Sequence, residues 1–231
     1  MTKKLKVNSV TSLMDKALED IPSILSDILH FSFEEYGELM EEKVVSFFEE
    51  YTLTEEELEY VLVYYYWWII LCSKIAPNRQ TIYQMYLKRR KKKFKNKRIL
   101  YRLLQEWQYA TPGFYYLENV HAKYVWSLTD MFLGKTRFTS VSEINYFEPN
   151  HGDLMTGILL PLGNHYYMTL FDLFAVPYKL SPSLAKQIIQ YTCNLEDGLA
   201  SPQAQLSANY PEMFKMCLKK VLDNDVALIK K

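Results

Sequence analysis

The chain has 231 residues, 49% hydrophobic and 15% aromatic, with 27 basic and 27 acidic side chains and a formal net charge of zero. That length and apolar content supply a core for one large domain or two small ones and exclude wholesale disorder. A pI near 6.9 lies far below that of a dedicated nucleic-acid domain, and Cys72, Cys193 and Cys217, with no C-x-C or C-x-x-C spacing, exclude a disulfide framework or a cysteine zinc site and fit a reducing, cytoplasmic setting.

In chain order, the N-terminus carries early lysines, but Asp15, Glu19 and Asp20 interrupt any apolar h-region, so it does not read as a signal peptide. Between residues 15 and 59 fifteen acids stand against Lys16 and Lys43, an acidic block hidden by the neutral total. Within it "SFEEYGELMEEKVVSFFEEY" spaces Phe33, Tyr36, Leu39, Met40, Val44, Phe47, Phe48 and Tyr51 at three and four, which predicts an amphipathic helix with a wet acidic face. "LTEEELEYVLVYYYWWIILC" predicts a second helix, with Thr54 as N-cap, Glu57 at the capping-box position and acids in the first turn; Pro77 and Asn78 are expected to end it. Its uncharged run, Tyr60 to Cys72, is about two thirds of a membrane span and reads as a central buried helix, with no membrane partner expected.

Residues 60 to 110 reverse the charge, with twelve cations against Glu106 alone. The stripe Ile82, Tyr83, Tyr86, Leu87 and the stripe Ile99, Leu100, Leu103, Leu104, Trp107 are each good helix faces, yet at about 100° per residue they differ by roughly a quarter turn. Two helices meeting at a break near residues 94–97 are predicted, which puts the basic run "KRRKKKFKNKR" on an exposed corner.

After Thr111 the composition changes. Gly113, Gly134, Gly152, Gly157 and Gly163, with Pro112, Pro149 and Pro161, punctuate "PGFYYLENV", "KYVWSLTD", "TRFTSV", "LMTGILLPL" and "HYYMTLFD", predicting a small twisted antiparallel sheet or barrel. "SPSLAKQIIQYTCNL" returns to helix, with Ser181 expected as N-cap and Pro182 at N1, and "YPEMFKMCLKKVLDNDVALIKK" adds a last helix. The reading is α+β: a helical region at 1–110, a β module at 111–180 and C-terminal helices at 181–231 packed on the rest.

Trp67 and Trp68, "TIYQMYLKRR", Leu104 with Trp107, "TPGFYY", "SLTDMFLGKTRFT" and "HGDLMTGILLPLGNHYYM" resemble a group of uncharacterised bacterial cytosolic proteins common in low-GC Gram-positive bacteria. Many of these end in the SEC-C zinc motif also found at the tail of the SecA translocase. The resemblance covers residues 60–180. It implies hairpin-turn roles for Asp130 and Gly134, barrel-turn roles for Gly152, Asp153, Gly157, Pro161 and Gly163, and no catalytic residue. No cysteine pair follows Pro177, so zinc-dependent docking does not carry over.

Nine cations, Lys88, Arg89, Arg90, Lys91, Lys92, Lys93, Lys95, Lys97 and Arg98, fall within eleven residues. One reading has them neutralise phosphates while rings of the β module, above all Tyr116, Trp126 and Tyr167, with Tyr115, Tyr124 and Tyr166, stack bases, as small barrels do with single-stranded nucleic acid. The other has them form a solvated corner that pairs with the acidic block of the same or another subunit, and alternation along each strand sends half of the rings into the core. "HGD", His151 to Asp153, matches the start of a facial iron triad, but the next histidine is His165 and Gly152 with Asp153 reads as a turn. No G-x-S-x-G, H-E-x-x-H, Walker or Rossmann pattern is present. The expectation is therefore a non-enzymatic binding protein without metal or cofactor, associating with single-stranded nucleic acid. The alternative is a protein-protein adaptor or homodimeric structural protein.

Overall fold

The computed structural model describes residues 18–75, 79–141, 150–195, 202–224 and 226–228. Helix α1 (Ile21–Phe48) starts well ahead of residue 32, with a proline in its first turn and an apolar series Ile21, Ile24, Ile28, Phe31 that is fully buried. It kinks at Tyr36 (φ −137°, ψ 16°). Ser32 Oγ donates back to Ile28 O at 2.7 Å, a bond that bends helices, and Gly37 follows the kink. The predicted stripe is correct beyond the kink, where Met40 and Phe47 are buried, but before it the inward ring is Phe31, and Phe33 is 47% exposed.

Helix α2 (Glu55–Leu71) begins on the predicted capping box: Thr54 Oγ1 accepts from Glu57 N and Glu57 Oε2 accepts from Thr54 N. Val61, Tyr64, Tyr65 and Trp67 to Leu71 are all buried. The helix stops at Leu71, ahead of Pro77 and Asn78, which lie outside the described residues. A second capping box, Thr81 with Gln84, starts α3 (Ile82–Arg90). The predicted break is a tight 3-10 turn, Lys91–Phe94, before α4 (Arg98–Trp107), and Tyr83 OH donates to Leu104 O at 2.6 Å, fastening α3 to α4. Among the described residues no helix is long and apolar enough to cross a membrane.

Six strands follow: β1 (Pro112–Ala122), β2 (Val125–Asp130), β3 (Thr136–Ser140), β4 (Leu154–Gly163), β5 (Tyr166–Thr169) and β6 (Phe174–Val176). They run β1-β2-β3-β5-β4, and a β1 to β4 pairing closes the ring into a barrel; β6 adds to β4 outside it. All pairings are antiparallel except β3 with β5, so the sheet is mixed rather than purely antiparallel. The parallel pair arises because β4 itself is the crossover between β3 and β5. The implied hairpin turn forms at Asp130 and Gly134, but Gly157 and Pro161, expected as barrel-turn residues, lie within β4, paired with Gly113 and Tyr167. Asp130 Oδ1 accepts from Phe132 N and Leu133 N, and Gly134 closes the turn with φ +61°, a conformation suited to glycine.

Helices α5 (Ser181–Asn194) and α6 (Pro202–Leu222) complete the α+β fold. Ser181 is not an N-cap: Leu180 holds that position and makes no side-chain cap. Ser181 Oγ, fully buried, accepts from Leu154 N at 3.0 Å and faces Val176 O and Pro177 O at 3.0 Å, stitching the helix to β4 and β6. One apolar core joins α1 to α6 with Phe114, Leu154, Ile158, Leu160, Phe174 and Val176. A smaller one fills the barrel lumen with Tyr115, Leu117, Trp126, Leu128, Met155 and Leu159. Strand β4 and the first half of β1, residues 112–117, are therefore buried on both faces, one against helices and one inside the barrel.

Candidate nucleic-acid interface

The basic corner is held by an aromatic anchor. Phe94, 3% exposed, lies 5.8 Å from Tyr101 in a stacked arrangement and 6.5 Å from Tyr86 edge-on, so the 3-10 turn is pinned from within while its lysines point out. Three of the nine cations are turned against α1. Arg89 pairs with Glu35, Lys93 Nζ lies 2.8 Å from Asp27 Oδ2, and Lys97 Nζ lies 2.7 Å from Asp20 Oδ2. Arg89 and Arg90 also stand over the Phe31 ring at 5.6 and 5.8 Å. The acidic and basic blocks therefore meet within one chain. Asp27 is the hub. Burial works to raise its pKa, but the hydrogen bonds from Lys93 and the Tyr86 hydroxyl, with the charges of Lys93 and Arg90, hold it below the ordinary carboxylate value.

Arg90 is half-buried over Phe31, and the other five cations face solvent. Lys88, Lys91, Lys92, Lys95 and Arg98 have no carboxylate partner among the described residues, and together with Arg89 they line a shallow depression of about 590 Å³ over Phe94 and Tyr101. No acid belongs to that lining. Five cations without a carboxylate partner, with Arg89 paired to Glu35 at the edge, face one concavity and raise the local potential for an anion.

The rings expected to stack bases are placed differently. Trp126 is a correction: at 2% exposure it packs in the barrel lumen and offers no face to a ligand. Tyr167 is half-buried with the Arg137 guanidinium 4.9 Å from its ring, and Tyr116 is half-buried against the helical core. Tyr115 is buried at 2%. The open rings of the module include Tyr166 at 57%, Phe138 at 45% and Tyr124 at 40% exposure. Phe138 lies 6.2 Å from Tyr166 and 5.6 Å from exposed His121, so β1, β3 and β5 present a continuous aromatic row, with Lys123 over Tyr124 at 4.9 Å in the β1 to β2 turn. Alternation in "TRFTS" carried the missed signal: Arg137 and Thr139 point inward, which leaves Phe138 outside.

The other candidates have structural employment. His151 Nδ1 lies 2.7 Å from Glu118 O, and the Asp153 carboxylate accepts from Asn150 N and Tyr178 N, both at 2.7 Å. Among the described residues no group of three side chains is arranged to hold a metal ion. Burial pushes the Cys72 and Cys217 thiols well above their ordinary value, which disfavours the nucleophilic thiolate. Comparison with protein-family models, with curated proteins and with solved structures finds no match for this chain.

Proposed function

We propose that this is a non-catalytic binding protein that holds single-stranded nucleic acid, with the basic depression taking backbone phosphates and the outer barrel rings taking bases. The observation that carries the reading is the depression at residues 88–98, lined by six cations and no carboxylate. Two further features support it. A five-stranded Greek-key barrel is the architecture of OB-type folds, whose ligand face is the outer side of strands 2 and 3 with the flanking loops. The exposed Phe138, Tyr166 and Tyr124 fall on and beside that face. Fold alone does not decide function, so the proposal stands on the site.

The test is binding of single-stranded DNA and RNA oligonucleotides by fluorescence anisotropy across a salt series. Affinity is expected to fall steeply with salt, and replacing Lys88, Lys91, Lys92 and Lys95 by Gln is expected to flatten the log-log slope by about 0.7 for each lost contact. The melting temperature should hardly move, because exposed charges without partners contribute little to folding. Absence of binding by the native protein to both nucleic acids at low ionic strength overturns the reading. A second reading rests on the contacts of Arg89, Lys93 and Lys97 with α1: the basic run fastens α1, and the protein is an adaptor or homodimeric structural protein. It gains the field if binding is absent and the quadruple variant changes oligomeric mass at low salt.

A further inference from the structure

At one mouth of the barrel, away from the basic run in sequence, a cavity of about 210 Å³ opens between the β2 to β3 turn and helices α5 and α6. Its apolar wall includes Pro112, Phe132, Leu133 and Leu206, and its polar groups include Tyr115 and Arg137. Arg137 is held there firmly. Its Nη2 donates to Asp130 Oδ2 at 2.9 Å, and its guanidinium lies 5.7 Å from the Tyr115 ring and 4.9 Å from the Tyr167 ring, with only 21% of the side chain exposed. An arginine carries five N–H donors, and among the described residues this one has a single hydrogen-bond partner, Asp130.

Asp130 is largely committed inside the protein, with its charge paired to Arg137. One carboxylate oxygen accepts from Phe132 N and Leu133 N and the other from Arg137. The cavity therefore holds surplus donors rather than surplus acceptors. Tyr115, 2% exposed, lines the same cavity beside Arg137. Trp126 Nε1 and Thr139 Oγ1, paired towards the other end of β2 and β3, are buried without partners among the described residues but do not line this cavity. A held arginine with donors to spare on the wall of a cavity at a barrel mouth, a common place for ligand sites, points to an anionic partner from outside the chain.

We propose that this barrel mouth binds a small aromatic carboxylate, its carboxyl group on the free edge of Arg137 and the Tyr115 hydroxyl, its ring against Phe132, Leu133 and Leu206. The guanidinium fork matches a carboxylate bidentately. The volume, below the roughly 300–1,000 Å³ of drug-sized ligand pockets, selects a single-ring body. The site is separate from the basic depression and stands whether or not the protein binds nucleic acid.

The experiment is ¹⁹F NMR of 4-fluorobenzoate and its neutral counterpart 4-fluorobenzamide titrated with the full chain. The benzoate should show saturable broadening and bind at least about tenfold more tightly than the amide, the discrimination expected when one charged hydrogen-bonded group is lost. Arg137→Gln should abolish the preference. Because that change also strips Asp130 of its partner, Tyr115→Phe and Leu133→Trp serve beside it. Tyr115→Phe keeps the ring and removes only the hydroxyl, so it should hardly move the melting temperature while weakening benzoate severalfold, and Leu133→Trp should block the cavity from an exposed turn. Equal affinity for acid and amide, wild-type affinity in both Tyr115→Phe and Leu133→Trp, or no saturable response to the benzoate at about 10 mM each overturns the proposal.

Discussion

Ser181 shows how one hydroxyl joins elements distant in sequence. Its oxygen accepts from Leu154 N in β4 and faces carbonyls at the end of β6, all inside a fully buried site. Replacing it by alanine leaves the Leu154 N–H buried without an acceptor, which costs roughly 1–3 kcal/mol. Urea unfolding of Ser181→Ala should show a loss of that size, whereas Ser183→Ala, whose exposed hydroxyl only bonds back to Leu180 O, should fall within about 0.5 kcal/mol of the native protein. Equal values for the two would show that the Ser181 bonds are not what holds the helix to the barrel. The Ser-Pro pair signals a helix start, and the helix does start there, but the sequence carries no sign that the hydroxyl faces inward. Trp126 poses the same difficulty: alternation separates the two faces of β2 without saying which is the lumen, and only closure of the barrel decides that its indole is core.

At the level of elements, the acidic helix and the basic turn are one device. Asp27 accepts from Tyr86 OH and Lys93 Nζ, both at 2.8 Å, so α1 is bound to α3 and to the turn after it through a single carboxylate. Its pKa is lowered in the fold, so the folded state holds its proton less tightly than the unfolded chain does. The resulting stabilisation is complete above the ordinary aspartate value of about 3.9 and is lost as pH falls through the depressed folded value. Asp27→Asn should therefore cost on the order of 1 kcal/mol at neutral pH, as for a half-exposed charge-assisted pair, and that deficit should shrink below about pH 4 in urea midpoints. A deficit that is constant across the range would show that the charge of Asp27 is not involved. Much at this scale is legible in the sequence. The Thr54 capping box, the buried aromatic helix, the break before Arg98 and five of the six strands follow from local chemistry and periodicity. The parallel β3 to β5 pairing, the short β6 and the extension of α1 back to Ile21 depend on contacts between distant segments, which periodicity does not encode. Of the candidate site, the basic run was legible because charge density is a property of sequence; the open aromatic row was not, because exposure is a property of the closed barrel.

For the molecule as a whole, the zero net charge reflects two opposed blocks that partly neutralise each other along α1 and leave one outward-facing basic surface. The helical part and the barrel do not behave as beads on a string. Trp107 Nε1 donates to Pro161 O at 3.1 Å, Thr156 Oγ1 lies 3.2 Å from the Tyr210 hydroxyl, and the main core runs from α1 through β4 to α6. The basic turn, by contrast, is held by short-range backbone bonds such as Lys95 N to Lys92 O at 3.3 Å and Lys97 N to Phe94 O at 2.9 Å, with Lys91, Lys92 and Lys95 exposed. Local opening there exposes cleavable bonds without unfolding the core. Limited trypsin digestion should make its first cut between α3 and α4 at residues 91–95, and the two pieces should co-elute on gel filtration, because α3 and α4 remain joined through Tyr83 and the shared core. Early release of a free fragment beginning near Pro112 would instead make the barrel an independent domain whose contacts with Trp107 and Tyr210 contribute little to its stability.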